Sequence, residues 1–145
     1  APETERIILA LSRQEALHEE QEGIKPISQK VLLEARKQSL AVHMAEPVEE
    51  YLVQLILATR NTEAYGGELA QWLDYGASPR ATIALDRCSR ALAWLEGRDF
   101  VTPDDVRAVA HDVLRHRLIL SFEAEASGVT ANQVIDKLLA TVPSA

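Results

Sequence analysis

The sequence of 145 residues lacks the features that define several large classes of protein. Its one cysteine, Cys88, cannot form a disulfide within the chain, which suits a protein of the reducing cytoplasm. No apolar run approaches the roughly 20 residues that a membrane-spanning helix needs, and no signal-peptide pattern is present. We therefore expect a cytoplasmic protein without membrane insertion.

Aromatic residues and net positive charge are also scarce. Aromatics make up 5% of the sequence against 47% for all hydrophobic residues, so aliphatic side chains must supply most of the core. The formal net charge of −7 disfavours broad binding to a nucleic-acid backbone. A helix-turn-helix over 102–117 would begin its recognition helix with Pro-Asp-Asp and turn two carboxylates toward the phosphates. We expect no nucleic-acid partner.

No catalytic or metal-binding motif is complete in the sequence. None of the six glycines is followed by lysine, so the phosphate-binding loop of P-loop ATPases is missing, as is an apolar strand ending in Asp-Glu. His111 and His116 are five residues apart and would leave a helix in different directions, so we expect no metal site. The chain by itself is not expected to be an enzyme.

Apolar residues recur at helical spacing through most of the sequence. This pattern predicts an all-α fold, a bundle of about six helices with at most a tiny two-stranded β element. The run Leu118–Leu120 is predicted to pair with Ala41 and Val42 in that element. One helix is predicted to run from Pro79 to Glu96, with Ser78 as its cap and proline at its first position. Its predicted buried stripe is Ala81, Leu85, Cys88, Leu92 and Leu95.

Side-chain caps are predicted at two further helix starts. Thr102 is followed three residues later by Asp105, and Thr130 is followed three residues later by Gln133. Both spacings are those of the capping box, in which the two side chains bind each other's backbone N–H groups. We therefore expect helices to begin immediately after Thr102 and Thr130.

Arg80 stands in the first turn of its predicted helix, where a cation is unfavourable unless an anion lies nearby. The N-terminus of a helix carries about half a positive charge and several unpaired N–H groups. That field and an added guanidinium suit a phosphate group. The alternative is an ordinary surface arginine that pairs with Asp74 or Glu46, or stacks on Tyr75. The residues alone leave both interpretations open.

Three stretches of this sequence resemble the MoxR family of AAA+ ATPases. They are Ala-Thr-Arg at 58–60 followed by Gly-Ala-Ser-Pro-Arg-Ala at 76–81, Gly-Arg-Asp-Phe-Val-Thr-Pro-Asp-Asp-Val at 97–106, and Val-Leu-Arg-His-Arg-Leu at 113–118. The opening Glu-Thr-Glu-Arg-Ile-Ile-Leu at 3–9 is similar to the segment that follows the ATPase core of the family. The resemblance covers nearly the whole chain.

The resemblance implies that residues 1–145 form a single helical lid domain, with the nucleotide-binding core outside the chain. In AAA+ proteins the arginine that opens this lid helix is the sensor-2 residue, which reaches the γ-phosphate of ATP held with Mg²⁺ by the core. Arg80 occupies that position, and the residues expected to contact the nucleotide are Arg80, Ser78, Pro79 and Arg87. Helix geometry places Arg87 and Trp94 on the same face, toward the core, with Arg87 as a second contact. No cofactor is expected on the isolated lid.

The resemblance also implies partners. Family members form homo-oligomeric ring ATPases, so the lid would contact its own core and neighbouring subunits, and it would couple ATP hydrolysis to chaperone-like remodelling or assembly of other proteins. Proteins with von Willebrand factor A domains are frequent partners of the family. The aromatic loop 63–74 and the acidic extension 13–22 depart from the family pattern. The alternative is a stand-alone helical protein-interaction module without nucleotide function.

Overall fold

A computed structural model describes residues 2–17 and 25–144. The chain divides into two compact units, Ala1–Leu33 and Glu34–Ala145. The acidic extension predicted over 13–22 lies outside the described residues from position 18 onward. The longer helices are α1 (Pro2–Ala16), α2 (Gln29–Ala41), α3 (Glu46–Arg60), α6 (Pro79–Leu95), α7 (Pro103–Leu114) and α9 (Ala131–Thr141).

Short elements connect the longer helices and form the only sheet in the described part of the chain. Two strands, β1 and β2, pair as an antiparallel ribbon. The short elements are α4 (Thr62–Tyr65), α5 (Glu68–Trp72), β1 (Leu73–Tyr75), β2 (Ile119–Leu120) and α8 (Phe122–Ala126). The prediction of an all-α fold with a tiny β element is therefore confirmed.

The predicted strand pairing was wrong. Residues 40 and 41 belong to α2, and His43 makes only an isolated bridge to Phe100. The partner of β2 is β1, and the ribbon is extended by a hydrogen bond from the Ser121 N–H to the Trp72 carbonyl (2.9 Å). Leucine and alanine at positions 40 and 41 favour helix over strand, which explains why they continue α2.

The core of the second unit lies among α3, α6, α7 and α9. Helices α6 and α7 are joined by the short segment 96–102 and pack against each other over much of their length. A short connection of this kind makes consecutive helices antiparallel neighbours. The largest fully buried side chains are Tyr51, Leu52, Leu55, Leu69, Leu85, Leu114, Ile135, Leu138, Val106 and Val134, with the polar Thr59 and Ser89 among them.

The buried face of α6 differs from the predicted stripe. Cys88 is exposed and Leu95 is 74% exposed, so both predictions of burial were wrong. Three of the four buried positions instead carry small side chains, and small residues let packed helices approach closely. The buried hydroxyl of Ser89 is satisfied within its own helix, because it donates to the Leu85 carbonyl (2.7 Å). The buried positions of α6 are Ala81, Leu85, Ser89 and Ala93.

Both predicted capping boxes are confirmed. The Thr102 hydroxyl accepts from the Asp105 N–H while the Asp105 carboxylate accepts from the Thr102 N–H, and Thr130 and Gln133 make the same reciprocal pair. These boxes set the first residues of α7 and α9 from local sequence alone.

The first unit is built differently, since no residue of α1 is buried. Ile7, Ile8 and Leu11 are all exposed, although they share the helical spacing of an apolar face. Across the described residues, no helix is both long and apolar enough to cross a membrane.

Candidate functional site

The turn that leads into α6 is attached to the end of α3. The Thr59 hydroxyl accepts from the Ala77 N–H (2.9 Å) and donates to the Ile56 carbonyl (2.7 Å). The Arg60 side chain donates from Nε to the Ala77 carbonyl (2.7 Å). Both backbone polar groups of Ala77 are therefore bound by consecutive residues of α3, which fixes the position of the chain just before α6.

Gly76 makes this attachment possible. A Cβ atom at this position would lie 2.5 Å from the Thr59 carbonyl carbon and 2.8 Å from the Arg60 nitrogen, closer than real Cβ atoms approach backbone. Only a residue without a side chain lets the two backbone segments come this near. The Ala-Thr-Arg stretch at 58–60 and the glycine that opens the 76–81 stretch thus form one structural unit.

We predict that Thr59→Val lowers the free energy of unfolding by about 1–3 kcal/mol. Valine has nearly the same shape as threonine but offers no acceptor to the Ala77 N–H. A buried N–H without an acceptor costs more free energy than the hydrogen bond contributes when it is formed. Urea denaturation of the chain measures the change. The control is Thr62→Val at the start of α4, where the threonine makes no such contact. If Thr59→Val were as stable as the wild type, the hydrogen bond from the Ala77 N–H to the Thr59 hydroxyl would not stabilise the fold.

The N-terminus of α6 is open. Ser78 is extended (φ −74°, ψ 168°), and its side chain makes no capping hydrogen bond, so the predicted serine cap was wrong. Pro79 does stand at the predicted first position of the helix. Ser78, Pro79 and Arg80 are all exposed. Without a side-chain cap, the positive end of the helix faces outward beside the Arg80 guanidinium.

Arg80 has no partner within the described part of the chain. Its guanidinium makes no ion pair or hydrogen bond there, and neither the predicted pairs with Asp74 and Glu46 nor stacking on Tyr75 is formed. Most other arginines of the second unit do have partners, as in the pairs Arg90–Asp86 and Arg98–Asp105. Arg80 therefore remains available to an anion from outside the chain.

Arg87 and Trp94, two of the three residues predicted to share a face with Arg80, both border α2 in the structure. Trp94 is half-buried against α2, where its indole N–H donates to Gln38 Oε1 (3.3 Å). Arg87 is exposed and lines a groove of about 480 Å³ between α6 and the α2–α3 region, with Leu40 among the other lining residues. The predicted position of this face toward a nucleotide-binding core stays a prediction.

The far end of α6 is held by an ion pair that sequence reasoning missed. Arg98 binds Asp105 through two hydrogen bonds, Nη1 to Oδ2 (2.8 Å) and Nη2 to Oδ1 (2.6 Å), and it also contacts Glu96. Gly97 turns the chain with φ of 75°, a conformation that glycine adopts without strain. The sequence signal for this ion pair was an arginine seven residues before the aspartate of a capping box. This pair joins the segment that follows α6 to the first turn of α7.

The environment of Asp105 shifts its pKa. Burial favours the neutral acid and would raise the pKa, but hydrogen bonds from Arg98 and Thr102 outweigh burial and hold the pKa of Asp105 below its ordinary value. The carboxylate is therefore charged at neutral pH, and it stabilises the α6–α7 turn in that form. Within residues 2–17 and 25–144, no cluster of three or more His, Cys, Asp or Glu side chains is arranged to hold a metal ion.

Comparison with known proteins identifies the family. Residues 70–138 match the family described as the AAA lid domain. The chain is 39% identical over 129 residues to Chaperone MoxR1 of Mycobacterium tuberculosis, covering 83% of this chain and 34% of that protein. It is 37% identical over 108 residues to Protein MoxR of Paracoccus denitrificans, covering 70% of this chain and 32% of that protein.

A solved structure shows the same fold. The crystal structure of a candidate ATPase from Cytophaga hutchinsonii superimposes with a TM-score of 0.79 at 41% identity, covering 82% of this chain and 36% of that one. The chain thus spans about a third of the length of the relatives that it matches. From the fold and these similarities together, the chain belongs to the AAA lid domains, as the helical lid of a MoxR-type AAA+ ATPase.

Proposed function

We propose that this lid senses the γ-phosphate of ATP through Arg80, the sensor-2 residue, and couples ATP hydrolysis to chaperone-like remodelling or assembly of other proteins. The nucleotide and its Mg²⁺ would be held by a nucleotide-binding core of the same protein, since this chain has no phosphate-binding loop. The observation that carries the proposal is the unpaired Arg80 at the uncapped N-terminus of α6.

The attachment of the preceding turn supports this role. Gly76 and Ala77 are bound to α3, so Arg80 begins its helix at a fixed place. With the backbone fixed in this way, only the Arg80 side chain has to be ordered when it binds phosphate, and a charge-assisted hydrogen bond is about twice as strong as a neutral one. Arg87, exposed two turns further along α6, is proposed as a second contact with the nucleotide, and Ser78 and Pro79 are proposed to bind it beside Arg80.

The mechanism follows from the strength of that bond. With ATP bound, the Arg80 guanidinium donates to the γ-phosphate and draws the lid toward the core. After hydrolysis and loss of phosphate, this attraction is removed and the lid is released. In a homo-oligomeric ring, the rotation of the lid would pass to the neighbouring subunit and through it to the protein being remodelled. That a protein with a von Willebrand factor A domain is a partner stays a prediction.

We predict that Arg80→Ala in the protein that includes its nucleotide-binding core lowers the ATPase rate constant by about 10- to 100-fold. This factor corresponds to the loss of one charge-assisted hydrogen bond, worth about 1.5–3 kcal/mol. Steady-state ATP hydrolysis measures the rate. Calorimetry of the 145-residue chain measures its melting temperature, which should stay unchanged because Arg80 is exposed and has no partner among the described residues.

The control is Arg36→Ala, which removes an equally exposed arginine from α2. Arg36→Ala should leave the rate unchanged, and Arg80→Lys should restore only part of it, because lysine lacks the planar fork of the guanidinium. An Arg80→Ala protein that hydrolyses ATP at the wild-type rate would show that Arg80 is a surface arginine without a nucleotide role.

A further inference from the structure

The carbonyl of Ala77 has one hydrogen-bond partner among the described residues, the side chain of Arg60. The Arg60 Nε–H donates to it over 2.7 Å, and the guanidinium makes no other hydrogen bond or ion pair within residues 2–17 and 25–144. Ala77 is buried, whereas Arg60 is exposed. A single N–H group at the edge of the buried region therefore connects the end of α3 to this carbonyl.

That hydrogen bond orients the last peptide plane before α6. The Ala77–Ser78 peptide unit is planar, so binding its carbonyl also fixes the direction of its N–H and of the Ser78 Cα. Only the two backbone rotations of Ser78 then separate this plane from the helix. A residue before proline is restricted to extended conformations, as Ser78 is here (φ −74°, ψ 168°), and the Pro79 ring locks the next φ. The direction of the first turn of α6 therefore follows from the orientation of this plane.

The two side chains that bind Ala77 are expected to act in different ways. Thr59 is buried, so the loss of its hydroxyl leaves an N–H that water cannot reach. Arg60 is exposed, and water can replace its N–H at the carbonyl, so its loss should change stability little. Water does not fix the direction of the carbonyl, however. A displacement of about 1 Å at a reacting site can lower a rate by roughly 100-fold.

We propose that Arg60 is a positioning residue for Arg80. Its Nε–H holds the Ala77 carbonyl, and through the Ala77–Ser78 plane it sets the direction in which α6 presents Arg80. This role rests on the proposed sensing of the γ-phosphate by Arg80. What Arg60 contributes is one hydrogen bond from Nε, and its positive charge is not required.

Glutamine and methionine at position 60 separate the hydrogen bond from the charge. The Nε2 of glutamine is the same number of bonds from the backbone as the Nε of arginine, so Arg60→Gln keeps a neutral donor there. Arg60→Met has a similar length and offers no donor. In the protein that includes its core, Arg60→Met should lower the rate constant of steady-state ATP hydrolysis about tenfold, and Arg60→Gln should keep at least about half of it.

Arg36→Met is the matched control, because it makes the same change at an exposed arginine of α2 and should leave the rate unchanged. Stability is checked in the 145-residue chain by calorimetry. Arg60→Gln and Arg60→Met both remove a charge from the last turn of α3, so their melting temperatures should agree within about 3 °C.

A double substitution tests whether Arg60 acts through Arg80. When Arg80→Ala has removed the phosphate contact, the direction of α6 no longer affects that contact. Adding Arg60→Met to Arg80→Ala should therefore lower the rate by less than about twofold further. A full tenfold loss in this background would show that Arg60 acts independently of Arg80 and would overturn the positioning role.

Three further results would also overturn it. Equal losses of rate in Arg60→Gln and Arg60→Met would show that the charge of Arg60 is what matters, as in a direct contact with phosphate. A melting temperature of Arg60→Met far below that of Arg60→Gln would show a role in stability instead. Wild-type turnover of Arg60→Met would leave the role of Arg80 standing if Arg80→Ala is slow, whereas wild-type turnover of Arg80→Ala would contradict the proposed function itself.

Discussion

Replacing Gly76 by alanine is expected to lower the free energy of unfolding by about 3 kcal/mol, the upper end of what an inserted methyl group costs in a packed site. The new Cβ would fall 2.5 Å from the Thr59 carbonyl carbon and 2.8 Å from the Arg60 nitrogen. Both are backbone atoms at the end of a packed helix, so neither can turn aside as a flexible side chain would. The turn before α6 would have to leave α3, and the hydrogen bonds to Ala77 would break with it.

Urea denaturation of Gly76→Ala against the wild-type chain measures this loss. Ser78→Ala is the control two residues away, because Ser78 is exposed and makes no capping hydrogen bond, and it should change stability by less than about 0.5 kcal/mol. In the protein that includes its core, Gly76→Ala should also lower ATP turnover, since Arg80 would no longer start from a fixed place. Wild-type stability of Gly76→Ala would show that the turn can move without penalty.

Replacing Asp105 by asparagine is expected to cost about 3 kcal/mol at neutral pH. The carboxylate is almost fully buried, accepts two hydrogen bonds from Arg98, and closes the capping box with Thr102. Removing one member of a buried, hydrogen-bonded ion pair is costly because the remaining charge loses its partner. Asp104→Asn, at the neighbouring exposed position, is the matched control and should cost less than about 1 kcal/mol.

The lowered pKa of Asp105 gives this prediction a pH dependence. Because the folded pKa lies below that of the unfolded chain, the carboxylate stabilises the fold fully above the ordinary aspartate pKa of about 4. That stabilisation is lost as the pH falls from there through the folded pKa. The difference in melting temperature between the wild type and Asp105→Asn should therefore shrink below about pH 4. A difference that stays constant down to pH 2 would mean that the Asp105 charge is not what stabilises the turn.

Local sequence was sufficient where short-range geometry decides the structure. The capping boxes that begin at Thr102 and Thr130, and the proline at 79, predicted the starts of three helices, because a helix start needs only residues within one turn. The same reasoning failed at Ser78. Its type and position are those of a cap, but its side chain forms no such bond.

Periodicity was less successful at choosing which residues of α6 are buried. Apolar spacing placed Cys88 and Leu95 inside, whereas the structure buries Ser89 and Ala93. A contact between two helices favours small residues, because they allow the helices to approach closely. Hydrophobic periodicity ranks residues by polarity and not by size, so it does not predict which small residues are buried there. The strand partner of β2 was missed for a similar reason, since a three-residue strand has too little pattern to identify its neighbour.

The sequence by itself determined the helical class, the first residues of α6, α7 and α9 and the presence of an arginine in the first turn of α6. Its motifs also indicated the MoxR family, which the comparisons confirmed. Only the tertiary structure decided that Arg80 has no partner among residues 2–17 and 25–144, that Gly76 lies against α3 and that both polar groups of Ala77 are bound by Thr59 and Arg60. These contacts join residues about seventeen positions apart. They depend on how helices pack, which local patterns along the chain do not encode.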